Sequence, residues 1–93
     1  MRWIAEVHVQ LRPGIADPEG LTIASGLRSL GFAGVEQVRS GKLLRIAFEA
    51  DDPTAADSAV ATMCRRLLAN PVMEVASWDL RADDEPASEE QLA

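Results

Sequence analysis

The run Arg2-Trp3-Ile4-Ala5-Glu6-Val7-His8-Val9-Gln10-Leu11 alternates. Trp3, Ala5, Val7, Val9 and Leu11 fall on one face of an extended chain, while Arg2, Glu6, His8 and Gln10 share the other with Ile4. A period of two marks a strand with one side on a core. Pro13-Gly14 ends it, and beyond that turn the period changes. Asp17-Pro18 has the form of an N-cap followed by proline at the first helical position. From Pro18 to about Leu30 the residues Gly20, Ile23, Ala24, Leu27, Leu30 and Gly31 recur at helical spacing. Gly31 suits the C-terminal cap, with Phe32 placed to make the accompanying apolar contact.

Residues 34–50 read as a hairpin. Its first strand carries Val35 and Val38, Ser40-Gly41 turns the chain, and Leu44, Ile46, Phe48 and Ala50 line one face of the second strand. Val35 and Val38 are three apart, which strict alternation does not allow, so a bulge or an early strand end is expected there. Asp51-Asp52-Pro53 repeats the cap-plus-proline signal. A second helix is expected from Pro53 to about Ala69, with Ala56, Val60, Met63, Cys64, Leu67 and Leu68 as its apolar stripe, until Asn70-Pro71 stops it. A last strand covers residues 72–80, with Val72, Ala76, Trp78 and Leu80 on one side and Met73 and Val75 on the other.

The order strand, helix, strand, strand, helix, strand gives an α+β fold. It predicts a two-layer β-α-β-β-α-β sandwich related to the ferredoxin-like plan, with two helices on one face of an antiparallel sheet. Residues 1–81 form the single domain. The chain has 93 residues and buries only a modest share of its surface alone. The uncovered sheet face, with Ile4 and some of Leu43, Met73 and Val75, is a place for another subunit.

Nine basic and fifteen acidic residues give a net charge of -6. Asp83, Asp84, Glu85, Glu89 and Glu90 all follow Arg81, beyond which there is no Lys or Arg. Residues 82–93 therefore read as an acidic, disordered tail, and the folded part is nearly neutral. Such a body lacks the basic footprint of a nucleic-acid binder. A single cysteine excludes an intrachain disulfide and a cysteine-based zinc cluster. No apolar run approaches membrane-spanning length, and the charged start is unlike a signal peptide, so a cytoplasmic location is expected.

The chemistry-bearing residues are few. His8, the only histidine, sits on the more polar strand face. It reads as a surface or interface residue, the alternative being a catalytic base without an evident orienting partner. Cys64 belongs to the apolar stripe and reads as a small core residue. Asp51-Asp52 are explained by helix capping and the helix dipole, and no spacing resembles a calcium loop. No catalytic, cofactor-binding or metal-ligating residue is assigned. Two turns, Arg12-Pro13-Gly14-Ile15 and Arg39-Ser40-Gly41-Lys42, place a basic residue beside flexible backbone. That arrangement can meet a phosphate or a carboxylate, but neither turn matches a P-loop or dinucleotide fingerprint, and the favoured reading is a tight turn flanked by solvated charges.

As strings, these segments carry a resemblance. Leu11-Arg12-Pro13-Gly14-Ile15 with Asp17-Pro18-Glu19-Gly20, then Leu30-Gly31-Phe32 with Val35, Val38-Arg39 and Gly41-Lys42, then Met63-Cys64 with Leu67-Leu68-Ala69-Asn70-Pro71-Val72, resemble in order and spacing the PurS family. The similarity runs from about residue 3 to about residue 80. Arg12 stands where the family usually has lysine, and Val75-Ala76 where it often has Asp-Tyr. The resemblance implies a non-catalytic small subunit of the enzyme that converts formylglycinamide ribonucleotide, glutamine and ATP into formylglycinamidine ribonucleotide. It implies partners of two kinds, a PurQ-type glutaminase and a PurL-type ATP-dependent synthetase, which the small subunit bridges so that ammonia passes between them. It also implies self-association as a dimer or tetramer. ATP and Mg belong to the assembled complex, with no cofactor on this subunit alone. Arg12, Pro13, Gly14, Arg39, Gly41, Lys42 and Asn70 are the expected partner-interface residues. The competing reading is an ACT-like regulatory module that dimerises through its sheet and binds a small molecule at the first glycine turn.

Overall fold

The computed structural model describes residues 1–83. Its elements are β1 (Arg2–Leu11), α1 (Pro18–Ser29), β2 (Gly41–Glu49), α2 (Pro53–Met63), a π-helical turn (Cys64–Leu68) and β3 (Glu74–Ala82). The strands form one three-stranded antiparallel sheet in the order β2-β1-β3. β1 takes the centre because it is the strand with the most complete apolar face. Trp3, Ala5, Val7 and Val9 are all buried.

Register sets the layers. Val7 lies opposite Leu44 on one side and Trp78 on the other, and Ala5 lies opposite Ile46 and Leu80. These side chains share a face. Ala5, Val7 and Val9 pack with Val60 of α2 and Cys64 of the π-helical turn, ringed by half-buried Leu44, Ile46, Phe48, Ala76, Trp78 and Leu80. Each fully buried valine there is worth roughly 1.5–3 kcal/mol of hydrophobic stabilisation. The Trp78 indole N–H also donates to Asp57 Oδ1 at 2.9 Å, tying β3 to α2.

The α+β character, the antiparallel sheet and the two helix starts agree with the sequence. Asp17 and Asp52 both cap, accepting from Gly20 N and Ala55 N. At the end of α1, Gly31 has φ +103°, Phe32 N donates to Leu27 O and Gly31 N to Arg28 O. This is a Schellman motif.

Four details differ. Residues 34–38 form no strand, so the hairpin expected over 34–50 contributes only β2. The backbone there is engaged by α1 instead of by a ladder: the Arg28 guanidinium donates to the carbonyls of Val35 and Glu36. The expected second helix is α-helical only to Met63. Ala69 N then bonds Cys64 O, an i to i−5 bond that widens the last turn. This keeps Leu68 against the core but leaves Leu67, expected in the stripe, 84% exposed. The last strand starts at Glu74, so Val72 lies outside it and exposed. Finally, β3 runs on to Ala82, and Asp83 N donates to Arg2 O. The folded body thus passes the boundary expected at residue 81, and the remainder of the acidic tail lies outside the described residues.

α1 also sits differently from a sheet-covering helix. Only Gly20 and Ala24 of it are buried, and none of its side chains enters the core cluster. It runs with residues 36–39, which line a cleft together with Leu21, Ala24 and Arg28.

Candidate functional site

The residues singled out in the two turns meet at one end of the sheet, where β1 stops and β2 and β3 begin. Gln10 pairs with Gly41, Val9 with Lys42, and Leu11 with Glu74. Gly41 has to be glycine, because a Cβ there would lie 2.8 Å from the carbonyl oxygen of Val9. Gly14 holds φ +89°, which a side chain disfavours, and so lets β1 turn away.

Both arginines of this end lie on the surface and bond backbone carbonyls. The Arg12 guanidinium donates to Pro71 O from Nη2 at 2.8 Å and from Nε at 3.3 Å, while its own N–H donates to Met73 O. Arg39 reaches the carbonyls of Ile15 (3.0 Å), Arg12 (3.2 Å) and Leu11 (3.4 Å). These are charge-assisted bonds to backbone. They shape the turns and do not present a free cationic pair. Asn70 is likewise a turn-former: its carbonyl accepts from Met73 N and Glu74 N, its side chain accepts from Val72 N, and Glu74 Oε1 accepts from Asn70 N. Lys42, Pro13 and Gly14 remain exposed. The surrounding surface is cleft-like, with about 390 Å³ between Pro13, Gly14, Gln37, Arg39 and Val75, and about 320 Å³ between Glu19, Ser40, Lys42 and Glu74.

Asp17 holds this end together and was visible in the sequence only as a helix cap. Its buried carboxylate accepts from Gly20 N (2.9 Å), Ser40 N (2.6 Å) and Ser40 Oγ (2.7 Å). The Gly20 amide first, then the Ser40 hydroxyl and amide, hold its pKa below the usual carboxylate range. One side chain therefore joins the start of α1 to the start of β2.

His8 lies exposed on the other sheet face, in register with Leu43 and Ser77. Its neighbour Glu6 is already bound by Arg45, with Nη2 at 2.8 Å and Nε at 3.1 Å, and that bond lowers the Glu6 pKa. Cys64 is buried. Burial raises its thiol pKa against a smaller opposite pull from Arg65, which suits packing and disfavours the nucleophilic thiolate. Among the described residues no three His, Cys, Asp or Glu side chains are grouped to hold a metal ion, and no helix is long and apolar enough to cross a membrane.

The model of the PurS family, phosphoribosylformylglycinamidine (FGAM) synthase, matches residues 4–82. The chain belongs to this family. The PurS subunit of phosphoribosylformylglycinamidine synthase from Synechocystis is 43% identical over 76 residues, covering 82% of this chain and 76% of the relative. The corresponding subunit from Mycobacterium leprae is 43% identical over 81 residues, covering 87% and 96%. Among solved structures, Thermus thermophilus PurS superimposes with TM-score 0.81 at 39% identity, covering 89% of this chain and 99% of that one. A chain in the structure of PurLQS from Thermotoga maritima superimposes with TM-score 0.75 at 32% identity, covering 87% and 96%. In this PurS-family chain the Val75-Ala76 departure falls at the start of β3. Ala76 faces the core, while Val75 is 39% exposed beside the Pro13-Gly14 cleft. It therefore bears on both the surface, at Val75, and the core face, at Ala76.

Proposed function

We propose that this chain is the small, non-catalytic subunit of FGAM synthase in purine biosynthesis, acting in the cytoplasm. In this reading it bridges a PurQ-type glutaminase and a PurL-type ATP-dependent synthetase so that ammonia passes between them. ATP and Mg serve the assembled complex. The observation that carries the reading is the likeness, over nearly the whole length of both chains, to a chain of the Thermotoga PurLQS assembly. The local chemistry supports it. Arg12, Arg39, Asp17 and Asn70 build rigid turns, and rigid turns presenting Pro13, Gly14 and Lys42 suit contact with larger subunits.

The test is glutamine-dependent synthase activity of the two larger subunits with and without this chain, alongside size-exclusion chromatography of the mixture. Both activity and a joint complex are expected to require it, and indifference of both with matched partners would remove the reading. Lys42→Glu addresses the interface cleanly, because the Lys42 side chain makes no hydrogen bond or ion pair among the described residues and its backbone pairing with Val9 is kept. Arg39→Glu weakens assembly too, but it also removes the tie to three carbonyls.

A further inference from the structure

Between the end of α2 and β3 lies a cleft of about 300 Å³. Cys64, Ala76 and Trp78 give it an apolar wall, and Arg12 and Arg65 line it as well. Its carboxylate neighbours are already engaged: Asp57 accepts from the Trp78 indole and Glu74 from the Asn70 amide. The cations on the helix side have no such match. The Arg65 guanidinium donates to the Thr62 hydroxyl, and Arg66, exposed beside it, makes no hydrogen bond or ion pair among the described residues. An apolar slot next to two cations without carboxylates suits an acidic segment that carries an apolar side chain.

The chain has such a segment. Residues 84–93 lie outside the described ones, and their sequence holds Asp84, Glu85, Glu89 and Glu90, no basic residue, and Leu92 as the one bulky apolar side chain. The segment departs from the end of β3, where Asp83 N donates to Arg2 O. From Ala82, the wall residue Ala76 lies six residues back along β3, about 20 Å at the rise of a strand. From Ala82 forward to Leu92 is ten residues, a span of up to about 33 Å. Leu92 therefore reaches the cleft with length to spare. β3 is an edge strand in the order β2-β1-β3, so no further strand among the described residues bars the way.

We propose that residues 84–92 turn back along β3 of the same chain, so that Leu92 enters the cleft against Cys64, Ala76 and Trp78 while Glu89 and Glu90 face Arg65 and Arg66. The tether makes the contact intramolecular, at an effective concentration on the order of millimolar. A contact too weak to hold a free peptide is therefore populated here. Arg12 and Pro71 line the same cleft, so the docked segment also screens the corner at which the subunit reading places the larger subunits. That screening rests on the subunit reading, whereas the docking itself does not.

The experiment places benzoyl-phenylalanine at Leu92 of the full chain, in an equal mixture of isotopically heavy and light chains. The expected product is a crosslink within one chain, heavy to heavy or light to light, into peptides holding residues 61–78. Mixed heavy–light crosslinks would put the segment on a second copy, and crosslinks to other peptides, or none, would leave the cleft empty; each overturns the proposal. The natural side chain is tested through the indole N–H resonances of the two tryptophans. Leu92→Ser is expected to move that of Trp78 and to leave that of Trp3, which donates to Ala50 O, in place. A Trp78 signal that does not move overturns the docking as well. With matched larger subunits, Leu92→Ser is expected to assemble at least twofold more tightly than the wild type, and equal affinity would remove the screening. The crosslinks and resonances use this chain alone, so failure of the docking and failure of the subunit reading show separately.

Discussion

Between Arg2 and Leu11 the alternate residues Trp3, Ala5, Val7 and Val9 are buried, whereas between Pro18 and Ser29 only Gly20 and Ala24 are. Both segments have periodic apolar residues, and both are properly begun and ended. The difference lies in what surrounds them. β1 has a strand on either side and α2 above it. α1 has residues 35–39 along one side and polar ties at its base. Periodicity states which face seeks cover, and topology decides whether the same chain supplies it.

The contrast can be broken by mutation. Val7→Ala removes two methyl groups from a site without solvent exposure and is expected to cost about 2–3 kcal/mol. It should appear as a lower denaturant midpoint with an unchanged slope. Gly20→Ala comes next. Helix propensity favours alanine by about 1 kcal/mol, but its Cβ would collide with the Val38 carbonyl oxygen. Net destabilisation is expected, with faster amide exchange confined to α1, and a rise in melting temperature would contradict the close packing of residues 35–39 against α1.

Acid gives a milder effect. Asp17 has its pKa lowered by folding, so its contribution is complete above the ordinary carboxylate range near pH 4 and fades as pH falls through the lower folded value. Exchange of α1 amides should therefore accelerate below about pH 4 in the wild type, with a flatter profile in Asp17→Asn. The smallest effect is expected for Leu30→Ala in the dilute, monomeric chain, within about 0.5 kcal/mol, as for an exposed site. A cost that grows with protein concentration would sharpen the comparison by showing the stripe covered from outside.

Much of this was legible in the sequence because the signals were local. The alternation of β1, the Asp17 and Asp52 caps and the Gly31 terminus depend on neighbours within a few residues. The features that escaped reading depend on distant partners. Val35 and Val38 looked like strand residues, yet the Val35 carbonyl accepts from Arg28 and that of Val38 lies against Gly20. Arg12 and Arg39 were read as charges available at flexible turns, but at the surface their guanidinium groups are bound to carbonyls up to 59 residues away in sequence. Asp17 showed its role as a cap and concealed its bonds to Ser40. No local pattern announces a π-helical turn, so the exposure of Leu67 was also hidden.

That turn governs where the chain tolerates a change in length. Deleting one residue between Cys64 and Leu68 would close the same turn by an i to i−4 bond onto Cys64 O, leaving the Pro71 carbonyl within reach of Arg12. β3 would then keep its register, with Trp78 and Leu80 on the core face. At the tip of the α1 segment, by contrast, Gly34 has open space around it. Length changes among natural variants of this chain should therefore collect near Ala33-Gly34 and, as single-residue deletions, within the π-helical turn.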